Sequence, residues 1–134
     1  MAGHTFTKAE RLCKQTAIDW LFDGKGTSFS VFPLRVVYKT EPVSAITLPK
    51  LLISVPKKNF HHATSRNRIK RQLREAYRQQ KQTIVDLSAE RGLSVTLAFI
   101  YTGREHLTTD NIRQRVATAL TRIAKQLIHE ETAQ

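Results

Sequence analysis

Leu12, Ala17, Ile18, Leu21 and Phe22 recur at the spacing that lines one face of a helix. The pattern predicts a first helix from about Lys8 to Phe22, with Thr7 and Glu10 as a capping box and Gly24 and Gly26 ending it. From Phe29 to Tyr38 the period changes to two. Phe32, Leu34, Val36 and Tyr38 share one side, with Arg35 and Lys39 opposite, which predicts one half-buried strand with Pro33 at an edge or bulge. Thr40 to Pro49 is mostly connection, and Ala45 to Leu48 can extend a hairpin. Leu51 to Val55 reads as a short buried strand stopped by Pro56. A loop, Lys57 to Thr64, then leads into a basic helix from about Ser65 to Leu87, with Thr64 or Ser65 as its N-cap. After Gly92, Ser94 to Tyr101 is apolar on both faces, as a central strand requires. A last helix begins near Thr109 or Asp110 and presents Ile112, Val116, Leu120, Ile123, Leu127 and Ile128. The order αβββαβα predicts an α/β (α+β) two-layer sandwich, a small mixed sheet with helices packed on it.

Composition narrows the class. A chain of 134 residues, 40% of them hydrophobic, fits one domain over 1–134 with an ordered core from about 8 to 129. No apolar run approaches the roughly 20 residues needed to span a bilayer, and the N-terminus lacks the apolar core of a signal peptide. The single cysteine, Cys13, excludes an internal disulfide framework and fits a reducing, cytoplasmic setting.

Charge then singles out one element. The chain carries 22 Lys and Arg against 11 Asp and Glu, a net +11. Lys57 to Lys81 holds nine cations and one acid, Glu75, so 9 − 1 = +8 of that net charge lies in one stretch. On a helical wheel of about 100° per residue, Ile69, Leu73, Ala76 and Tyr77 form a narrow core stripe. Arg66, Lys70 and Arg74 step along one flank. Asn67, Arg71 and Arg78 lie roughly opposite the core, and Arg68 comes around the other side. Arg71 and Glu75 can pair at i, i+4. A merely solvated face alternates its signs, whereas five Arg and one Lys here stand against a single Glu in thirteen residues. Like charges at i, i+4 cost a few tenths of a kcal/mol per pair. A polyanion relieves that cost, and Arg favours bidentate phosphate contact. The apolar stripe is too narrow for a helix lying on a membrane. Of the nearby aromatics, Phe22, Phe29, Phe32, Tyr38 and Phe60, those left exposed can stack unpaired bases, core packing being the commoner fate.

Ile53-Ser54-Val55-Pro56-Lys57-Lys58, followed by Arg66-Asn67-Arg68-Ile69-Lys70-Arg71-Gln72-Leu73-Arg74-Glu75-Ala76-Tyr77-Arg78, closely resembles the signature of the bacterial ribonuclease P protein subunit. Arg11-Leu12 with Phe22 is similar to that family's first helix, and Val95 to Ile100 to its last strand. The resemblance implies a left-handed βαβ crossover, where generic rules predict a right-handed one. It also implies a cytoplasmic ribonucleoprotein that removes the 5′ leader of precursor tRNA. Its catalytic RNA subunit carries the chemistry and the Mg²⁺, with no metal bound by the protein alone. By position, the leader cleft would comprise Ile18, Phe22, Phe32, Ser54, Lys57, Arg66, Lys70 and Arg74. The contact with the RNA subunit would comprise Asn67, Arg68, Arg71 and, more weakly, Arg78. The chain departs from the family pattern in two places. Ile18 stands where phenylalanine is usual, and the loop Asn59 to Ser65 lacks a common glycine.

A catalytic residue of the chain's own is not expected. Asp19 with Asp23 and Asp86 with Glu90 sit at i, i+4, beside no catalytic His or recognisable metal motif, and read as solvated helix carboxylates. His61 and His62 are adjacent, so their rings diverge, and no third ligand is evident. The alternatives are another RNA-binding module, such as a ribosomal or assembly protein, and a free-standing nuclease. The first predicts no preference for precursor over mature tRNA, and the second predicts cleavage without an RNA partner. No membrane and no obligate protein partner are expected.

Overall fold

A computed structural model describes residues 10–11, 15–43 and 48–132, with side chains described to residue 128. Within them α1 is Gln15–Leu21, β1 Thr27–Val31, β2 Leu34–Pro42, β3 Lys50–Ser54, α2 Ala63–Gln80, α3 Gln82–Arg91, β4 Leu93–Tyr101 and α4 Thr109–Thr132. The strands form one sheet in the order β1-β2-β4-β3. β1–β2 and β2–β4 are antiparallel, while β3 and β4 run parallel, joined through α2 and α3. The mixed sheet with helices packed on it is the predicted class.

β4 occupies a central place, and its side chains explain why. Val95, Leu97, Phe99 and Tyr101 are buried in the main core, where Ile69, Leu73 and Tyr77 of α2, Ile84 of α3 and Ile112, Val116, Ile123 and Leu127 of α4 meet the sheet. Ala98 faces the other way, into a smaller cluster with Leu21 of α1 and Val37 of β2. Among the described residues, three helices therefore cover one face and α1 alone lies on the other. Each fully buried Ile or Leu in the main core stabilises by about 1.5–3 kcal/mol.

Three expectations need correction, and a fourth falls mostly outside the described residues. The strand expected from Phe29 to Tyr38 is a hairpin, with Phe32-Pro33 as its turn and Val31 paired to Leu34. The turn resets the alternation, so Phe29 and Val31 share the core face with Leu34, Val36 and Tyr38, and Phe32 leaves it. The first helix is shorter than expected. Lys8 and Leu12 lie outside the described residues, and Arg11 forms a parallel bridge with Leu51, extending the sheet beyond β3. The basic helix starts earlier, with His62 as its extended N-cap, and breaks at Lys81, after which α3 runs to Gly92. Gly92 closes α3 in the left-handed region at φ 61, where a side chain would be strained. The possible hairpin extension at Ala45 to Leu48 lies mostly outside the described residues, and Leu48 is exposed in the coil before β3.

The break in the helix has a specific partner. Lys81, counted among the nine cations of the basic stretch, is buried, and its Nζ lies 2.5 Å from Glu10 Oε2, also buried. Glu10 thereby fastens the segment that runs beside β3 to the α2–α3 junction.

Candidate nucleic-acid interface

Ile69, Leu73, Ala76 and Tyr77 are the buried residues of α2, so the stripe seen in the sequence is the one that anchors the helix. Tyr77 meets Phe99 edge to face with ring centroids 6.2 Å apart. Burial pushes its hydroxyl well above the ordinary tyrosine range, and the nearby Glu10 carboxylate adds to this. On one side of the stripe, Gln72 Nε2 donates to the Leu107 carbonyl and Thr109 Oγ1, both at 3.3 Å, and Gln80 Nε2 to the Arg113 carbonyl at 3.1 Å. That flank faces α4. The opposite flank carries Arg66, Lys70 and Arg74, and Arg74 comes within electrostatic reach of Arg11, which bridges to Leu51 of β3.

These cations are graded by exposure. Arg66, Lys70 and Arg74 are half-buried, whereas Asn67, Arg68 and Arg71 are exposed. Arg66 Nη1 donates to the carbonyls of Phe60 and His61 at 2.8 and 3.1 Å, and so ties the loop before α2 to the helix. Burial holds the Arg74 guanidinium below its ordinary value, and repulsion from Arg11 and Arg71 adds to this. Arg11 thus joins the cluster from outside α2. Helical periodicity gave no sign of it, because it arrives through the bridge to Leu51. Glu75 takes Arg78 rather than Arg71, with Arg78 Nε 2.9 Å from Oε2 and a second bond from Nη2 to Oε1. The pair holds the Glu75 carboxyl below its usual range, the hydrogen bond being the main cause. Of the four residues expected to meet the RNA subunit, Arg78 is therefore already engaged by an acid.

The face bearing α1 supplies the second part. Strand register aligns Ser28, Val37, Ala98 and Leu52 in one row and Ser30, Arg35, Ile100 and Ser54 in the next. α1 covers the first row, with Leu21 against Val37 and Ala98 and with Ile18 packed alongside. In the second row Ser30 and Arg35 are exposed and Ser54 half-buried, while Ile100, also half-buried, packs against the α1 cluster, leaving a partly open strip across the sheet. Neighbouring strands lie about 4.8 Å apart, which sets Arg35 roughly 10 Å from Ser54 along that strip. Arg35 is the second cation the sequence did not single out, although its place opposite the apolar side of β2 was the available signal.

α1 itself is pinned through its C-terminal end. Lys39 Nζ donates to the Trp20 carbonyl at 2.6 Å, lies 4.4 Å from the Trp20 ring centre and pairs with Asp23 at 2.7 Å. The hydrogen bond from Lys39, with one from the Lys25 amide, holds the Asp23 carboxyl below its ordinary value. Asp19 accepts from Gln15, and Asp86 from Gln82. Asp19, Asp23 and Asp86 are thus engaged in helix and turn contacts.

Other expected residues are distributed as follows. Phe22 is 41% exposed just past α1, and Lys57 is exposed in the turn after β3. Phe32, 73% exposed, stands at the tip of the β1–β2 hairpin and not among the side chains packed against α1. Phe29, Tyr38 and Phe60 are core residues, Phe60 packing on Tyr101 with ring centroids 5.8 Å apart. Among the described residues no three His, Cys, Asp or Glu side chains converge to hold a metal ion. No described helix is long and apolar enough to cross a membrane.

The chain is similar to known proteins in sequence and in fold. The family model described as Ribonuclease P matches residues 6–124. The ribonuclease P protein component of Porphyromonas gingivalis is 38% identical over 118 residues, spanning 88% of this chain and 85% of that one. Its counterpart from Chlorobium phaeobacteroides is 35% identical over 109 residues, spanning 75% and 73%. The solved ribonuclease P protein of Staphylococcus aureus superposes with a TM-score of 0.67 at 28% identity, over 88% of this chain and 97% of that one. The chain belongs to the ribonuclease P protein family.

Proposed function

We propose that the chain grips two RNAs at once within a cytoplasmic ribonuclease P holoenzyme. The outward face of α2, with Asn67, Arg68 and Arg71, holds the catalytic RNA subunit, and Arg78 contributes only at the cost of its bond to Glu75. The half-buried flank, with Arg66, Lys70 and Arg74, lines a cleft for the single-stranded 5′ leader of precursor tRNA. The open strip containing Ser54, together with Ile18, Phe22 and Lys57, completes that cleft. Phe32 stands at its far rim. The observation that supports the reading is the split of one helix's polar face into an exposed set, Asn67, Arg68 and Arg71, and a half-buried set, Arg66, Lys70 and Arg74.

The work divides between protein and RNA. Mg²⁺ held mainly by the RNA subunit would supply the activated water and stabilise the leaving oxygen in hydrolysis of the leader phosphodiester. This chain's residues bind and orient. Lys and Arg neutralise leader phosphates, and the sheet strip excludes part of the solvent around the bases. Ile18, with no aromatic ring, offers packing where a base-stacking residue would otherwise stand.

Two substitutions test the division. In holoenzyme reconstituted with a cognate RNA subunit, Lys70→Ala should weaken binding of precursor tRNA and leave mature tRNA unaffected. Arg71→Ala should weaken association with the RNA subunit and reduce its salt dependence by about one counterion. The same loss for precursor and mature tRNA with Lys70→Ala would refute the leader cleft. An unchanged salt slope with Arg71→Ala would refute the assigned phosphate contact.

A further inference from the structure

The solvent side of α4 carries a second row of cations, separate from those of α2. Asn111, Arg115, Thr118, Arg122 and Lys125 follow one another at steps of four and three, so they share one flank of the helix. All five are exposed, while Ile112, Val116, Ile123 and Leu127 turn into the core. At about 1.5 Å per residue the row runs for roughly 21 Å. Asp110, the only acid from Thr109 to Ile128, pairs with Arg113, which lies outside the row. Glu130 and Glu131 follow the row in the sequence. A solvated helix face normally mixes its signs, and this one sets three cations together without an acid.

The contacts of α4 fix where the row points. The Arg122 guanidinium lies 4.4 Å from the Phe29 ring centre, and Tyr38 OH donates to Gln126 Oε1. Phe29 belongs to β1, and Tyr38 pairs with Thr27 of β1, so the helix follows the outermost strand. Its other side meets α2, where Gln72 and Gln80 donate to the Leu107 and Arg113 carbonyls. Beside the row lies a shallow hollow of about 430 Å³, lined by Ala117, Thr118, Thr121, Arg122 and Lys125. Small side chains form its floor, and the two cations stand at one end. Thr118 Oγ1 donates to the Gln114 carbonyl at 3.0 Å and can still accept through its oxygen.

This chemistry selects one kind of polyanion. No aromatic ring lines the hollow, so unpaired bases have nothing there to stack on. Cations for phosphates and hydroxyls for ribose 2′-OH groups are what double-helical RNA engages. We propose that the α4 row is a second docking surface for double-helical RNA of the catalytic RNA subunit. The inference rests on the reading that the outward face of α2 holds that RNA. α2 and α4 cover the same face of the sheet, so one folded RNA reaches both without crossing it.

The test measures binding of the full chain to a cognate RNA subunit across a salt series, with no tRNA present. The triple variant Arg115→Gln, Arg122→Gln, Lys125→Gln should lower the slope of log affinity against log salt by roughly two to three. Because Arg122 also rests on Phe29, the double variant Arg115→Gln, Lys125→Gln serves as a second probe and should lower it by roughly two. Arg115→Lys with Arg122→Lys should keep the parent slope. Thr118→Val with Thr121→Val should weaken binding at an unchanged slope. In nuclease footprinting, one helical segment of the RNA protected by the parent should open in the triple variant. Parent slopes in both Gln variants would overturn the surface, as would a loss that emerges only once tRNA is added, since the row would then serve the tRNA. Arg71→Ala run in parallel separates the two levels. A loss there without one at the row overturns the α4 surface alone, and no loss at either overturns docking of the RNA subunit on α2 as well.

Discussion

Single residues here divide into those that leave their charge at the surface and those that hold the frame. Asp23 belongs to the second kind. Its carboxyl is held low by Lys39, which also grips Trp20, so acid should undo the docking of α1 at that point. A carboxyl whose folded pKa lies below its ordinary 3.8 contributes stability that is present above that value and lost as pH falls through the folded value. Fluorescence of Trp20, the chain's one tryptophan, should therefore change with a midpoint below 3.8. Asp23→Asn should abolish that step, and an identical acid profile in the variant would contradict it. Arg66 straddles the two kinds, since its guanidinium holds two loop carbonyls that a phosphate would have to share. No sequence pattern distinguished Arg66 from Lys70, because both fall on the same flank at i, i+4. Only the position of Phe60 and His61 tells them apart.

Among elements, α2 was the most legible, because a helical period and a concentrated charge coincide in it. Its anchoring residues are the four that periodicity gives. What periodicity could not show is the break at Lys81, since a lysine reads as surface whether or not a carboxylate from 71 residues away meets it. The β1–β2 hairpin was hidden for a related reason. Phe32 and Leu34 continue the alternation on paper, and only the pairing of Val31 with Leu34 shows that a turn separates them. The Glu10–Lys81 pair is buried, so removing one partner leaves the other charge in the core. Glu10→Ala or Lys81→Ala should destabilise the fold by roughly 3–5 kcal/mol in urea titration. The double substitution Glu10→Leu with Lys81→Met should recover much of that loss, because two packed apolar side chains avoid both desolvation penalties. Equal instability of the double variant would contradict this reading of the junction.

At the scale of the whole molecule, the fold turns a one-dimensional charge run into an exposed set and a half-buried set of cations. α2 is pressed onto one face of the sheet by its apolar stripe, which leaves Arg66, Lys70 and Arg74 half-buried on one flank and Asn67, Arg68 and Arg71 exposed. The class of fold and the polyanionic partner could be read from residue spacing. The open strip through Arg35 and the approach of Arg11 could not, because both depend on strand register and on a contact between distant segments. The central claim is that this chain increases cleavage of leader-bearing tRNA by contributing both sets of cations to one complex. The most direct measurement is leader cleavage by a cognate RNA subunit at low Mg²⁺, with and without the purified protein. The account predicts faster cleavage of precursor tRNA and tighter binding of precursor than of mature tRNA when the protein is present. Cleavage no faster than by the RNA alone, or equal binding of the two tRNAs, would contradict it.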